Sequence, residues 1–195
     1  MNVVCISGKA RHGKDTVAAM LASELRKLGY RVLIAHYGDL VKYICRTFFG
    51  WNGEKDEYGR YIMQYVGTDL VRQKRPTFWT DFMMSVLSMF HDKWDYVLLP
   101  DCRFPNELTC VADQGFPMVH LRIRRWNFSS PLTETQKKHP SETALDDITP
   151  DIIVENDAGL PELREKAELL VEMLRSDFFP DKDAPYEAHE EEQRL

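Results

Sequence analysis

The chain contains 195 residues, of which 44% are hydrophobic and 29% charged, and its formal net charge is −6. This length and composition are typical of one globular domain that folds without disulfides or a structural metal. The acidic balance argues against a surface that coats nucleic acid, because such surfaces neutralise phosphates with Lys and Arg. We therefore expect no stable nucleic-acid partner.

No run of apolar residues is long enough to span a membrane, and residues 1–7 lack the basic and apolar regions of a signal peptide. We expect a cytoplasmic protein without a membrane partner. The four cysteines form no CxxC pair, which indicates buried, reduced thiols and not a zinc site.

The first element is a short apolar run with β-branched residues, Asn2–Ser7, which predicts a buried parallel strand. An apolar stripe over residues 14–28 predicts a helix, and Gly29 is a natural stop. The turn between them, Gly8–Asp15, matches the phosphate-binding pattern G-x-x-x-x-G-K-[ST] at every fixed position except the last.

Such a turn binds phosphate for specific reasons. Its glycines let backbone N–H groups face the anion, and the start of the helix adds the positive end of its dipole. Lys14 supplies a charge for the β- and γ-phosphates. The sequence therefore predicts an ATP site made by Gly8, Lys9, Ala10, Arg11, His12, Gly13, Lys14, Asp15 and Thr16.

The last position of the pattern departs from the rule, because Asp15 stands where a Ser or Thr hydroxyl usually binds magnesium. A carboxylate can also ligate Mg²⁺, directly or through water. Thr16, one position later, is an alternative hydroxyl ligand or simply a helix residue. We expect ATP and Mg²⁺ as cofactors, with the choice between these two ligands open.

The middle of the chain predicts a strand, a polar loop and three helices. In chain order these are a strand over residues 31–36, a helix from near Leu40, a loop over residues 50–59, and helices over residues 61–72 and 78–90.

A third predicted strand, Tyr96–Leu99, is followed by Asp101 and Arg103. A carboxylate at such a strand end commonly serves the magnesium in P-loop folds, so Asp101 is a candidate metal ligand and catalytic residue. An alternative is that Asp101 caps the next helix. Arg103 can bind a phosphate in bidentate fashion and is a second catalytic candidate.

The remaining segments are a helix over residues 106–113, a strand over 117–122, a strand over 151–155 and a helix over 160–175. The polar stretch 126–147 shows little periodicity. Arg124, at its edge, is the arginine we expect to close over ATP and stabilise the transferring phosphate. His139 and Ser141 could suggest a hydrolase, but no third partner is visible, and a helix cap made by Ser141 explains them as well.

Strands that alternate with helices predict an α/β fold of three layers, in which a five-stranded parallel sheet is flanked by helices. We expect one domain over residues 1–178. Residues 179–195 are predicted to be an acidic, flexible tail. Ligands should bind outside the carboxyl ends of the strands.

Taken together, the motifs resemble those of phage-type deoxynucleoside monophosphate kinases, over about residues 2–175. The most distinctive is Asp101-x-Arg103-Phe104-Pro105-Asn106-Glu107. The other segments that carry the resemblance are 7–16, 37–42, 64–72, 139–142 and 153–157.

The resemblance implies a three-layer P-loop kinase fold, with an acceptor-binding helical region at about residues 38–92 and a mobile lid at about 124–147. The activity that it implies is transfer of the γ-phosphoryl group of ATP to a nucleotide 5′-phosphate, often by a homodimer, and in the host cytoplasm if the protein is phage-encoded. It implies that Arg72 and Arg103 hold the acceptor phosphate, although Arg72 could also be a surface helix charge. The other acceptor contacts that it implies are Asp39, Lys42, Gln64 and Glu107. Gly38 and Leu40 stand where members of the family often have Ala and Pro.

Three alternatives stay open. The first is a kinase for a hydroxymethylated base in DNA, and the second is a kinase for another small phosphorylated metabolite such as phosphomevalonate. The third, of a different class, is a nucleotide-binding module without transfer chemistry. The base preference of a nucleotide kinase is not readable from these residues.

Overall fold

Five parallel strands form the central sheet in the computed structural model, which describes residues 1–54 and 56–180. The strands are β1 (Asn2–Ser7), β2 (Val32–Ile34), β3 (Tyr96–Leu99), β4 (Met118–Arg124) and β5 (Ile152–Glu155). Their order across the sheet is β2-β3-β1-β4-β5, and every neighbouring pair is parallel. The predicted fold class is therefore confirmed.

Eight α-helices connect and cover these strands in the described part of the chain. They are α1 (Lys14–Lys27), α2 (Gly38–Phe49), α3 (Glu57–Gln64), α4 (Phe78–Met89), α5 (Pro105–Asp113), α6 (Glu134–Lys137), α7 (Pro140–Thr143) and α8 (Leu160–Met173). Two of them continue as π-helical turns, α3 into Tyr65–Arg72 and α8 into Leu174–Phe178. Within the described helices, none combines the length and apolarity that crossing a membrane requires.

The side chains of successive β1 residues point to opposite faces of the sheet, as strand geometry requires. Val4 and Ile6 pack in a core with α1 and α8, whereas Val3 and Cys5 pack in a second core with α4 and α5. All four side chains are fully buried. A central parallel strand covered on both faces reads as a continuous apolar run, which is why the sequence predicted β1 correctly.

A third apolar cluster joins α2, the π-helical turn and α4 beside the sheet. Trp79 is 2% exposed, packs in this cluster with Val41 and Val66, and donates its indole N–H to the carbonyl oxygen of Gly67 at 2.8 Å. The cluster brings these helices against the carboxyl ends of the strands, and together they form one wall of the cavity described below.

Several element ends differ from the prediction, and the largest difference is at the start of α3. Helix α3 begins at Glu57, inside the predicted loop, because the Asp56 carboxylate caps it by accepting from the Gly59 amide at 2.7 Å. Strand β4 begins and ends later than predicted, so Arg124 is its last residue. Residues 181–195 of the predicted tail lie outside the described residues.

The lid segment, residues 124–147, contains the two short helices α6 and α7, where the sequence predicted no regular structure. The prediction that Ser141 caps a helix was wrong. His139 is the N-cap of α7, and its Nδ1 accepts from the Ser141 amide at 3.2 Å. Pro140 occupies the first helical position, which suits proline because no N–H is needed there.

Candidate active site

The turn after β1 has the shape of a phosphate-binding loop. Gly8 and Gly13 have φ angles of 139° and 98°, which L-residues with side chains rarely adopt. A Cβ at Gly8 would lie 2.4 Å from the carbonyl oxygen of Ile123, and one at Gly13 would lie 2.5 Å from Nδ2 of Asn156. Both glycines are therefore required by backbone conformation and by space.

The loop after β1 is also held by the residue that follows the edge strand β5. Asn156, directly after β5, donates from Nδ2 to the carbonyl oxygen of His12 at 2.9 Å. Burial lowers the pKa of His12, and the nearby positive charge of Lys14 lowers it further.

Lys14 lies inside the loop and is 8% exposed. Its ammonium group donates to the carbonyl oxygens of Gly8 and Lys9 at 2.7 and 2.9 Å. Burial lowers the pKa of Lys14 to about 8, and the positive charge of Arg103 acts in the same direction. A phosphate beside the ammonium group would favour the charged form, so anion binding and protonation of Lys14 support each other.

Asp15, the unusual last residue of the loop, extends towards the carboxyl end of β2. Its Oδ1 lies 3.2 Å from Nε2 of His36, and Nδ1 of the same ring lies 3.4 Å from Oδ2 of Asp39. The hydrogen bond to Asp15 raises the pKa of His36. His36 was not predicted as a site residue, although a position just beyond the carboxyl end of a parallel strand is where ligands bind.

A magnesium site would depend on few protein ligands. In the described residues, His, Cys, Asp and Glu side chains form no group of three that could hold a metal ion. Mg²⁺ at phosphotransferase sites usually has one or two carboxylates as ligands, completed by phosphate oxygens and water. Asp15 and Asp101 both line the cavity and fit that pattern.

Asp101 caps a helix, but not the one that follows it in sequence. Its two carboxylate oxygens accept from the amides of Tyr37 and Gly38 at 2.9 and 2.8 Å, at the start of α2. A Cβ at Gly38 would lie 3.1 Å from Oδ2, so this close approach explains the glycine. The carboxylate can serve as cap while its other lone pairs remain for a water ligand of a metal.

Arg72 is held at the cavity by three side chains. Its Nη2 lies 2.5 Å from Oε1 of Glu107, its Nη1 donates to Oδ1 of Asn106 at 3.0 Å, and its guanidinium lies 3.9 Å above the Phe104 ring. With a side chain 12% exposed, Arg72 is not the surface helix charge that was its alternative.

Glu107 lines the cavity, but protein groups already engage its carboxylate, so its contact with the acceptor stays a prediction. It is 2% exposed, and its second oxygen accepts from the amides of Arg103 and Phe104 at 2.6 and 3.0 Å. Burial raises the pKa of Glu107, whereas Arg72 and the two amides lower it. Glu107 thus positions Arg72 and the start of α5.

Arg103 connects this region to the lid segment and to the loop. Its Nη1 donates to the carbonyl oxygen of Ser141 at 3.0 Å and to Oε1 of Glu142. The other oxygen of Glu142 accepts from the Ala10 amide at 3.0 Å. Lys9 adds contacts from its ammonium group to the Glu142 carbonyl oxygen and to Asp146. Glu142 lies in the segment 139–142, which carries the family resemblance, but it was not a predicted site residue.

A cavity of about 660 Å³ joins the loop to the helical region. The predicted site residues that line it are Ala10, Arg11, Lys14, Asp15, Lys42, Gln64, Arg72, Asp101, Arg103 and Glu107. Those outside its lining are Gly8, Lys9, His12, Gly13, Thr16, Asp39 and Arg124. The guanidinium of Arg124 lies 5.5 Å from the centre of the Trp126 ring, so closure over ATP by this residue stays a prediction.

Comparison with known proteins agrees with this arrangement. The sequence profile described as deoxynucleotide monophosphate kinase matches residues 40–167, more than half of the chain. The chain belongs to the deoxynucleotide monophosphate kinase family. The match begins after the phosphate-binding loop, so the geometry of the loop is independent support for a nucleotide-binding member of this family.

Two curated relatives are similar in sequence. The deoxynucleotide monophosphate kinase of Enterobacteria phage T4 is 28% identical over 126 residues, which are 63% of this chain and 49% of the T4 protein. The chain thus spans about half the length of this relative. A phosphomevalonate kinase of Drosophila melanogaster is 25% identical over 196 aligned positions, covering 90% of this chain and 97% of that protein.

Among solved structures, the APS kinase of Mycobacterium tuberculosis in complex with AMPPNP and APS superposes with a TM-score of 0.51. The alignment covers 90% of this chain and 98% of that one at 12% identity. This similarity shows the fold and adds nothing about the acceptor.

Proposed function

We propose that this chain transfers the γ-phosphoryl group of ATP to the 5′-phosphate of a deoxynucleoside monophosphate. The observation that carries the proposal is that Lys14, buried in a loop of phosphate-binding shape, shares one cavity with Arg72 and Arg103. Two anionic substrates need cationic groups at both ends of such a site, and membership of the family supports a nucleotide as the acceptor.

On the donor side, the loop amides and Lys14 bind the β- and γ-phosphates of ATP. The ammonium group already has two carbonyl acceptors in the loop, so its position is fixed before ATP arrives. Groups held in place in advance stabilise the charge of the transition state without reorganising during the reaction.

On the metal side, Asp15 and Asp101 would hold Mg²⁺, with Thr16 as the alternative ligand to Asp15. The Asp15 side chain is 76% exposed and lines the cavity, which suits a ligand that shares its metal with phosphates and water. When bound, Mg²⁺ neutralises charge on the β- and γ-phosphates.

On the acceptor side, Arg72 and Arg103 bind the 5′-phosphate. The Phe104 ring and Glu107 hold Arg72 in one orientation, and Arg103 lies between the acceptor region and the loop. The acceptor oxygen is already anionic, so the reaction needs alignment of two phosphates more than a strong general base. Lys42 and Gln64 line the same cavity and are candidates for contacts with the nucleoside.

A second candidate acceptor is phosphomevalonate. The Drosophila phosphomevalonate kinase aligns along 90% of this chain, a longer stretch than the T4 protein does. Both acceptors carry a phosphate monoester, so the two arginines serve either one, and the rest of the cavity decides between them.

A coupled assay of ADP release tests the proposal. The panel contains ribo- and deoxynucleoside monophosphates, phosphomevalonate, and DNA with a hydroxymethylated base. We expect stimulation by at least one deoxynucleoside monophosphate and none by DNA. Stimulation by phosphomevalonate alone would replace the main proposal with the second candidate, and ATP binding without stimulation by any acceptor would indicate a non-catalytic module.

Three wider expectations stay predictions. They are a homodimer, a cytoplasmic location and the movement of residues 124–147 as a lid. Size-exclusion chromatography with light scattering on the full chain tests the first of them.

A further inference from the structure

The carboxylate of Glu142 occupies an anion position between the loop and Arg103. One of its oxygens accepts from the Ala10 amide at 3.0 Å, and the other accepts from the guanidinium of Arg103. The side chain is 7% exposed, so these contacts are shielded from water. Loop amides and arginines are both groups that commonly bind phosphates in proteins.

A phosphate cannot share this position with the carboxylate. The Ala10 amide has a single hydrogen, which Glu142 already uses. A second anion at the same place would also lie beside the first, and like charges in a shielded site repel strongly. Glu142 and a phosphate bound to Ala10 and Arg103 therefore exclude each other.

Other contacts hold helix α7 on the loop without using this carboxylate. Lys9 donates to the carbonyl oxygen of Glu142, and Arg103 donates to the carbonyl oxygen of Ser141. His139 caps the helix at its first turn. The carboxylate can leave by rotating its side chain while the backbone of α7 remains in place.

We propose that Glu142 is an internal substitute for phosphate, which contacts Ala10 and Arg103 and gives up both groups when phosphates bind. For the acceptor, this proposal rests on the proposed function. Arg103 stays paired with Glu142 until a phosphate displaces the carboxylate. Glu142 therefore selects acceptors whose phosphate can compete for Arg103. Glu142 thereby acts as a specificity-determining residue at the junction of the donor and acceptor sites.

Calorimetric titration with inorganic tripolyphosphate tests the proposal without reference to any acceptor. Glu142→Gln keeps the shape of the side chain and removes its charge. We expect it to bind tripolyphosphate about tenfold more tightly than the unmodified chain, because the competing anion is gone. Glu134→Gln removes the same charge from an exposed residue of α6 and should leave the affinity unchanged.

Equal or weaker binding by Glu142→Gln would overturn the proposal, as would an equal gain in Glu134→Gln. If Glu142→Gln does not fold, NMR of the unmodified chain with ¹³C-labelled glutamate gives the answer. Tripolyphosphate should shift the carboxyl signal of Glu142 and leave that of Glu134 in place, and an unmoved Glu142 signal would contradict the exchange.

The outcome is separable from the acceptor assay. Glu142→Gln could bind tripolyphosphate more tightly while no monophosphate stimulates ADP release. The first result would support the replacement of the carboxylate by phosphate, and the second would contradict the proposed acceptor. Absence of tripolyphosphate binding in every variant would overturn the role of Glu142 and the donor site together.

Discussion

Arg72 and Glu107 form an ion pair in the wall of the cavity, with Nη2 and Oε1 2.5 Å apart and side chains 12% and 3% exposed. The pair joins the π-helical turn after α3 to the start of α5. Because Glu107 also accepts from the amides of Arg103 and Phe104, one carboxylate holds both the guanidinium of Arg72 and the backbone at Arg103.

Glu107→Gln should destabilise the protein. The amide keeps the shape of the side chain but leaves Arg72 without its buried counter-charge, and breaking such a pair typically costs about 3 kcal/mol or more in free energy of unfolding. Urea denaturation measures this change. Glu162→Gln, which breaks the exposed pair with Lys166 on α8, is the control and should cost about 0.5 kcal/mol or less. Equal losses in the two variants would contradict the structural role of Glu107.

Asp101→Asn separates a capping role from a metal role. The variant has one carboxamide oxygen, so it can accept from one of the two amides at the start of α2 but not from both. We therefore expect the free energy of unfolding, measured without metal, to fall by about 1 kcal/mol. If Asp101 also serves Mg²⁺, the magnesium concentration for half-maximal activity should rise. A stability loss with an unchanged magnesium requirement would leave Asp101 with the capping role alone.

His120 should make the protein sensitive to acid. It is 3% exposed and lies 2.7 Å from the Ser7 hydroxyl, and burial together with Arg122 lowers its pKa from 6.5 to about 4, against the opposite effect of Asp151. Below pH 6.5 the unfolded chain binds a proton at this ring that the folded chain does not bind. Its contribution to stability is therefore complete above pH 6.5 and is lost as the pH falls towards 4.

Between pH 7 and pH 5 the contribution of His120 to the free energy of unfolding should fall by about 2 kcal/mol. Urea denaturation at the two pH values measures it, and His120→Gln should remove that part of the pH dependence. His91→Gln, a change at an exposed ring on the surface, should leave the dependence as it is. If His120→Gln and the unmodified chain lose the same stability on acidification, the assignment to His120 is wrong.

The strands and the phosphate-binding loop could be predicted because their signals are local. A buried parallel strand is a short apolar run, and the glycines of the loop are fixed by their own φ angles and by the backbone beside them. Ligands bind beyond the carboxyl ends of parallel strands. This rule predicts that Asp101, Arg103 and the loop lie together at one edge of the sheet.

What could not be predicted depends on contacts between distant parts of the chain. Glu107 pairs with Arg72 across 35 positions, and Glu142 reaches Ala10 across 132. The short helices α6 and α7 contribute no residue to the hydrophobic core, so they leave no apolar period in the sequence. Asp101 was recognised as a possible cap, but only the fold shows that the capped helix is α2.

The most direct test of phosphate binding by the loop is ADP release by Lys14→Ala. The assay uses ATP with the best acceptor of the panel, and circular dichroism confirms that the variant is folded. Lys27→Ala, at the exposed end of the same helix, is the matched control and should keep its activity. We expect acceptor-dependent ADP release to disappear in Lys14→Ala alone, whereas full activity in that variant would contradict the assignment of the loop as the ATP site.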